Sequence, residues 1–246
     1  ALFAKFKALK ASPAYDALSP ARKKIVENEL RDFRLGGAEL PADKKARFMQ
    51  VQEELAQLSA KFEENLLDAT NDFALFVDDA AELAGVPDDV LAMMKAAAEA
   101  DGKTGWKITL HMPSYLPVMQ YGADRSLRET LYRAYVTRAS STAAAPAEAD
   151  RRQAMDNAPV IDELLALRAE EAKLLGDANF AEVSLVPKMA ESPAQVIEFL
   201  RDLAKRARPF AERDVAELKA FATEEIGLAD VQAWDIAFAS ERLKEK

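Results

Sequence analysis

Histidine and cysteine are the side chains that most often bind catalytic metals or attack substrates near neutral pH. This chain of 246 residues carries one histidine, His111, and no cysteine. A catalytic zinc ion takes three protein ligands from His, Cys and carboxylates, commonly two histidines one helical turn apart plus a third group. The chain cannot supply that pair, so no catalytic residue and no metal ligand is assigned within it. His111 falls on the polar side of an alternating run, where a solvated or singly hydrogen-bonded imidazole is the simpler role. Tyr115 follows Pro113 and has two readings: a phenol turned toward a bound peptide, or a packed ring with its hydroxyl satisfied. The acidic pairs Asp78-Asp79 and Asp88-Asp89 precede helical patterns, where carboxylates suit the positive end of a helix dipole better than acid catalysis. Arg133 and Arg138 lie beside Tyr132 and Tyr135, and bracing neighbouring helices fits them better than gripping a substrate carboxylate. Lys205, Arg206 and Arg208 spread around a helix and read as a solvated, ion-paired face.

Composition bounds the surroundings of these residues. The chain has 33 Lys plus Arg against 42 Asp plus Glu, a net charge of −9, and a pI near 4.9. Such a balance argues against nucleic acid or an anionic membrane as a partner. No apolar run approaches the roughly 20 residues that a membrane helix needs. Residues 1–10 show an amphipathic pattern instead of a charged leader followed by an apolar core. A soluble, cytoplasmic protein is the expectation.

The elements that must hold the candidates are mostly helices. Ser19-Pro20 opens one, Ile25, Val26, Leu30 and Phe33 follow at helical spacing, and Gly36-Gly37 stops it. Phe48, Val51, Leu55, Leu58, Phe62 and Leu66 then recur every three or four residues as a seam for lengthwise packing. The spacing drifts after Phe62, which favours an antiparallel bundle over a long coiled coil. Alternation at about 73–78 and again at 106–112 predicts a small two-stranded ribbon, with a short helix from Pro87 to about Gly102 between the strands. Asp124 caps a helix bearing Leu127, Leu131 and Tyr135. Small and polar residues at 140–150 mark a loop between a segment 1–139 and a segment 151–246, the two packing as one unit. Pro159 opens a helix that Gly176 closes. Ser192-Pro193 with Gln195 makes a capping-box start for a long helix, which Pro209 is expected to kink or break before Gly227 ends it. Trp234, Ile236, Phe238 and Leu243 predict a last helix still running at Lys246, as in a chain truncated there. The fold class is mainly α, a multi-helix antiparallel bundle with one small ribbon.

Several strings go beyond class: Ile25-Val26-Glu27-Asn28, Arg31-Asp32-Phe33-Arg34-Leu35, Leu67-Asp68-Ala69-Thr70, Glu82-Leu83-Ala84-Gly85, Pro113-Ser114-Tyr115-Leu116-Pro117-Val118-Met119, Tyr132-Arg133-Ala134-Tyr135, Thr137-Arg138-Ala139-Ser140, Ala204-Lys205-Arg206-Ala207-Arg208-Pro209 and Trp234-Asp235-Ile236-Ala237. In this order, from near residue 20 to the end, they resemble the oligopeptidase A, thimet oligopeptidase and neurolysin family of zinc metalloendopeptidases. The resemblance implies a largely helical enzyme that cuts short peptides inside a deep channel. It also implies a His-Glu-x-x-His helix that binds zinc and activates water, C-terminal to the portion matched here. On that basis the chain is an internal, non-catalytic wall of the channel, inactive alone, with zinc held by a missing catalytic half that is its main partner. Tyr115 and His111 are the candidate channel residues. A stand-alone helical scaffold or interaction module is the other reading, and a fragment parted from its partner is expected to expose an apolar face and self-associate.

Overall fold

The computed structural model describes residues 2–143 and 149–246. Helices begin and end where side chains can satisfy the backbone groups that a helix leaves open. Helix α1 is Leu2–Lys10, α2 Pro13–Asp16, α3 Pro20–Leu35 and α4 Ala42–Asp72. The Ser19 hydroxyl accepts from the Arg22 N–H at the start of α3. Strand β1, Leu75–Val77, precedes a 3-10 turn at Ala80–Leu83, which Asp79 caps by accepting from the Ala81 N–H. Helix α5 (Asp88–Ala100), strand β2 (Trp106–Ile108), α6 (Met112–Tyr121) and α7 (Arg125–Val136) follow, with Asp124 accepting from the Leu127 N–H at the head of α7. The acidic pairs therefore stand at helix starts, as their spacing predicts.

Beyond these lie α8 (Ala149–Ala154), α9 (Ala158–Leu175), α10 (Phe180–Leu185), α11 (Pro193–Glu224), a 3-10 turn at Ala233–Asp235 and α12 (Ile236–Lys244). The loop expected over 140–150 falls partly outside the described residues, and α8 already begins at Ala149. Ser192 Oγ accepts from the Gln195 N–H, but the Gln195 side chain accepts from the Glu191 N–H, one residue earlier than a regular capping box.

Two expectations need correction. The ribbon is shorter than the alternation, because Ser114 Oγ takes the Thr109 N–H at 2.9 Å and turns the chain into α6. His111 thus leaves the strand and sits immediately before that helix. Helix α11 runs unbroken through Pro209. Proline removes one N–H and leaves one carbonyl open, and the surrounding residues are exposed, so water can satisfy that carbonyl. Helix α12 keeps its helical hydrogen bonding as far as Glu245, whose N–H bonds the Glu241 carbonyl.

The chain divides into two compact units, one from residues 1–60 and 161–205, the other from 61–160 and 206–246. In the first, Phe3 and Phe6 of α1 tilt against Phe33 of α3 at 5.6 and 6.0 Å, and Val26, Phe48 and Val51 are buried. Gly37 has φ +75°, and a Cβ there would lie 2.7 Å from the Phe48 ring, so conformation and space both require glycine. Arg47 donates from Nε and Nη2 to the two oxygens of Glu170 at 2.7 and 2.6 Å, joining α4 to α9.

In the second unit, β1 pairs antiparallel with β2, Phe76 opposite Lys107. Gly105, at φ +77°, admits the close approach, since a Cβ would meet the Val77 carbonyl oxygen at 2.2 Å. Phe73, Val77, Met94, Ile108, Val118 and Leu131 form one core with residues of α5, α6 and α7, and this supports a ribbon that would be marginal alone. A second, smaller core joins Leu218 and Ala222 of α11 to Ala239 of α12.

One polar network inside the second unit centres on a buried ion pair. Asp235 has no solvent exposure and Arg128 only 1%. Arg128 Nη2 donates to Asp235 Oδ1 at 2.9 Å, and its Nη1 donates to the Gly122 and Ala123 carbonyls. Arg125 donates from Nε and Nη2 to the same carboxylate, and the Gln232 N–H donates to Oδ2 at 3.0 Å. The Arg128 guanidinium also lies 4.2 Å over the Phe238 ring. Burial alone would raise the Asp235 pKa, but hydrogen bonds from Arg125, the Gln232 N–H and Arg128 hold it below the ordinary carboxylate value. A depressed folded pKa stabilises the protein above the unfolded value, near pH 4, and that stabilisation is lost as pH falls through the folded value. Asp235→Asn should cost about 3–5 kcal/mol at pH 7, because Arg128 is left as a buried, uncompensated charge. Urea unfolding of both proteins checks this, and the gap between them should begin to shrink below about pH 4, where the unfolded carboxyl takes up a proton, and be lost as pH falls through the lower native value.

Candidate functional site

Tyr115 and His111 flank the first turn of α6. The His111 carbonyl accepts the N–H groups of Ser114 and Tyr115, each at 2.9 Å, so the backbone of His111 starts the helix. Its imidazole makes no cap hydrogen bond and is exposed. Tyr115 is its opposite, 8% exposed within the core of the second unit. The structure places these two residues on one turn but in different environments.

The Tyr115 ring stacks on Tyr135 of α7, with centroids 4.3 Å apart and planes 15° from parallel. Arg138 covers Tyr135, its guanidinium carbon 3.7 Å from the ring centroid, donates from Nη1 to Thr70 Oγ1 of α4 at 2.9 Å, and donates from Nε to the Tyr135 carbonyl. Three elements thus meet through a tyrosine pair and one cation, with cation–π attraction holding the guanidinium that spans them. Arg133 binds Glu129 one turn back and lies 5.0 Å over Trp234, which itself tilts against Tyr132. Both arginines therefore brace helices, as the sequence suggests. Burial first, then the neighbouring phenols of Tyr135 and Tyr132, push the Tyr115 pKa up to about 12, against a smaller opposing effect of Arg138. Tyr115 stays a neutral phenol throughout the physiological range.

Two groups of interacting residues escaped sequence reasoning. The Arg125–Arg128–Asp235 network brings together residues about 110 positions apart. A second group is the buried amide pair in which Asn65 donates to Asn157 Oδ1 at 2.9 Å and Asn157 donates to the Phe62 carbonyl. The only early sign of the first was Trp234-Asp235, quoted as part of a family string. Asn65 interrupts the apolar seam of α4 just where its spacing drifts, and it is Asn65, not the exposed Leu66, that turns inward.

Zinc does not fit the donor set found here. Among the described residues there is no group of three or more His, Asp or Glu side chains able to hold one metal ion. The single imidazole has no His-Glu-x-x-His partner in the chain, so no chemical step is routed through a metal in this chain. Also among the described residues, no helix is long and apolar enough to cross a membrane.

In the tyrosine titration followed by phenolate absorbance, five residues contribute, and Tyr115→Phe should remove the step at about 12. Loss of a step near the ordinary phenol value, about 10, would contradict the buried stack.

Similarity to known proteins follows this architecture. Residues 1–45 match the N-terminal domain of neurolysin and thimet oligopeptidase, and residues 118–246, which include the last turn of α6, all of α7 and the Asp235 network, match peptidase family M3. The chain is 46% identical to oligopeptidase A of Salmonella typhimurium and to oligopeptidase A of Escherichia coli, over 99% of its length in both cases. It is 42% identical over 98% of its length to a probable cytosolic oligopeptidase A of Arabidopsis thaliana. It spans about a third of the length of these relatives, 34–35%. With just over half the chain inside the M3 match, and that half containing the Asp235 network, the protein belongs to peptidase family M3.

Proposed function

We propose that this chain is a non-catalytic, helical part of the channel wall in an oligopeptidase A-like zinc metalloendopeptidase that hydrolyses short peptides. The observation that carries the reading is a match to oligopeptidase A over 99% of a chain whose only histidine, His111, has no second imidazole with which to form a zinc motif. The remaining part of such a parent holds the zinc and is this chain's partner. The metal supplies a Lewis acid and an activated water there, and the present residues supply rigid walls. A cytosolic setting fits the plant relative, a probable cytosolic oligopeptidase A.

Within that wall we assign His111 and Tyr115 to the peptide-facing side of α6. The imidazole is exposed and makes no cap hydrogen bond, and the Tyr115 ring lies one turn on with 8% of its surface exposed. Either group can meet a peptide backbone, His111 as donor or acceptor and Tyr115 as a neutral donor.

The test is hydrolysis of a quenched fluorescent short peptide with added zinc, beside a metal-content assay. The chain alone is expected to show no turnover and no stoichiometric zinc. A chimera in which it replaces the matching 244 residues of Escherichia coli oligopeptidase A should cleave the peptide and stop when a chelator is added. Chelator-sensitive cleavage by the chain alone, or a folded chimera without activity, would defeat the reading.

A further inference from the structure

Helix α11 has an apolar stripe that is covered at one end and bare along the rest. At 100° per residue, Phe199, Phe210, Leu203, Leu200, Ile197 and Val215 fall on one arc of the helix. Arg201, Lys205, Arg208, Glu212 and Lys219 fall on the opposite arc. This is the two-faced pattern of a helix that packs against protein on one side. Yet every residue from Ile197 to Glu217 is exposed, including Phe199 at 61%, Phe210 at 60% and Leu200 at 55%. At 1.5 Å per residue the bare stretch is about 30 Å long.

The same stripe continues into Leu218 and Ala222, and there it is buried against Ala239 of α12, with Leu228, Val231 and Leu243 around it. The stripe is thus an extension of an interface already formed. Apolar stripes of this size on soluble proteins mark surfaces that another polypeptide covers.

We infer that the bare arc of α11, from Ile197 to Val215, is the surface on which polypeptide from the rest of the parent peptidase packs, extending the layer that α12 begins over Leu218 and Ala222. This rests on the reading of the chain as part of a longer M3 peptidase. One observation and one general principle select that occupant over a second copy. The relatives match nearly the whole chain, yet about two thirds of their length lies outside the match, which provides ample chain to cover the stripe. A covalently joined segment also acts at high effective concentration, whereas a second copy must be recruited from solution.

The absence of cysteine makes the test direct. Leu200→Cys and Phe210→Cys place a thiol on the arc, and Lys205→Cys places one on the opposite side. Each is made in this chain and in the Escherichia coli chimera described above, and the rate of thiol alkylation is measured against the same protein without the added cysteine. In this chain all three thiols should react freely at every protein concentration. In the chimera the arc thiols should slow at least about tenfold, because reaction then requires local opening, while the Lys205→Cys thiol keeps its rate. Equal arc rates in an active chimera would overturn the inference while leaving the proposed function intact. Protection that grows with concentration in this chain alone would make a second copy the occupant and also overturn it. A folded but inactive chimera would count against the proposed function instead, whatever the labelling shows.

Discussion

A carboxylate with no access to water, held between two guanidinium groups, is the constraint around which the second unit is organised. Asp235 could not remain charged in that position alone, since the desolvation penalty of a single buried ion is several kcal/mol. Arg125 and Arg128 neutralise it, and the Gln232 N–H adds a further donor. Their geometry sets other parts of the fold. Arg128 uses its other nitrogen on the Gly122 and Ala123 carbonyls, so the turn between α6 and α7 is tied to the same ion. Asp235 also ends the 3-10 turn that opens into α12, so that helix is positioned by it as well.

The aromatic stack depends on this frame. Tyr115 comes from α6 and Tyr135 from α7, and the α6–α7 turn is the segment that Arg128 grips. With that turn held, two rings can stay 4.3 Å apart and Arg138 can reach across to Thr70. A buried phenol and an exposed imidazole then stand on successive faces of one helix start.

Much of the architecture was legible because helix boundaries are local chemistry. Ser19, Asp79 and Asp124 cap the elements their positions predict, since a short polar side chain can satisfy the N–H groups beside it without help from distant residues. Ribbon length was misjudged for a nonlocal reason: the side-chain alternation persists beyond Ile108, but a hydroxyl five residues ahead of Thr109 captures its backbone N–H. Pro209 was misjudged because proline's cost depends on whether water reaches the carbonyl it leaves open, which is a matter of exposure. His111 changed element for the same reason the ribbon shortened.

By itself the sequence determined the helical class, the caps, the positions of two short strands, and the family resemblance. The first three follow from residue type and from spacing within a few turns, and the last from matching strings along the chain. Only the tertiary structure decided which charges are buried, that Arg128 and Asp235 meet, that Asn65 instead of Leu66 faces inward, and that one stripe of α11 is packed at Leu218 and bare at Phe210. Burial and ion pairing across a hundred residues depend on how the chain returns on itself, and no local spacing encodes that return.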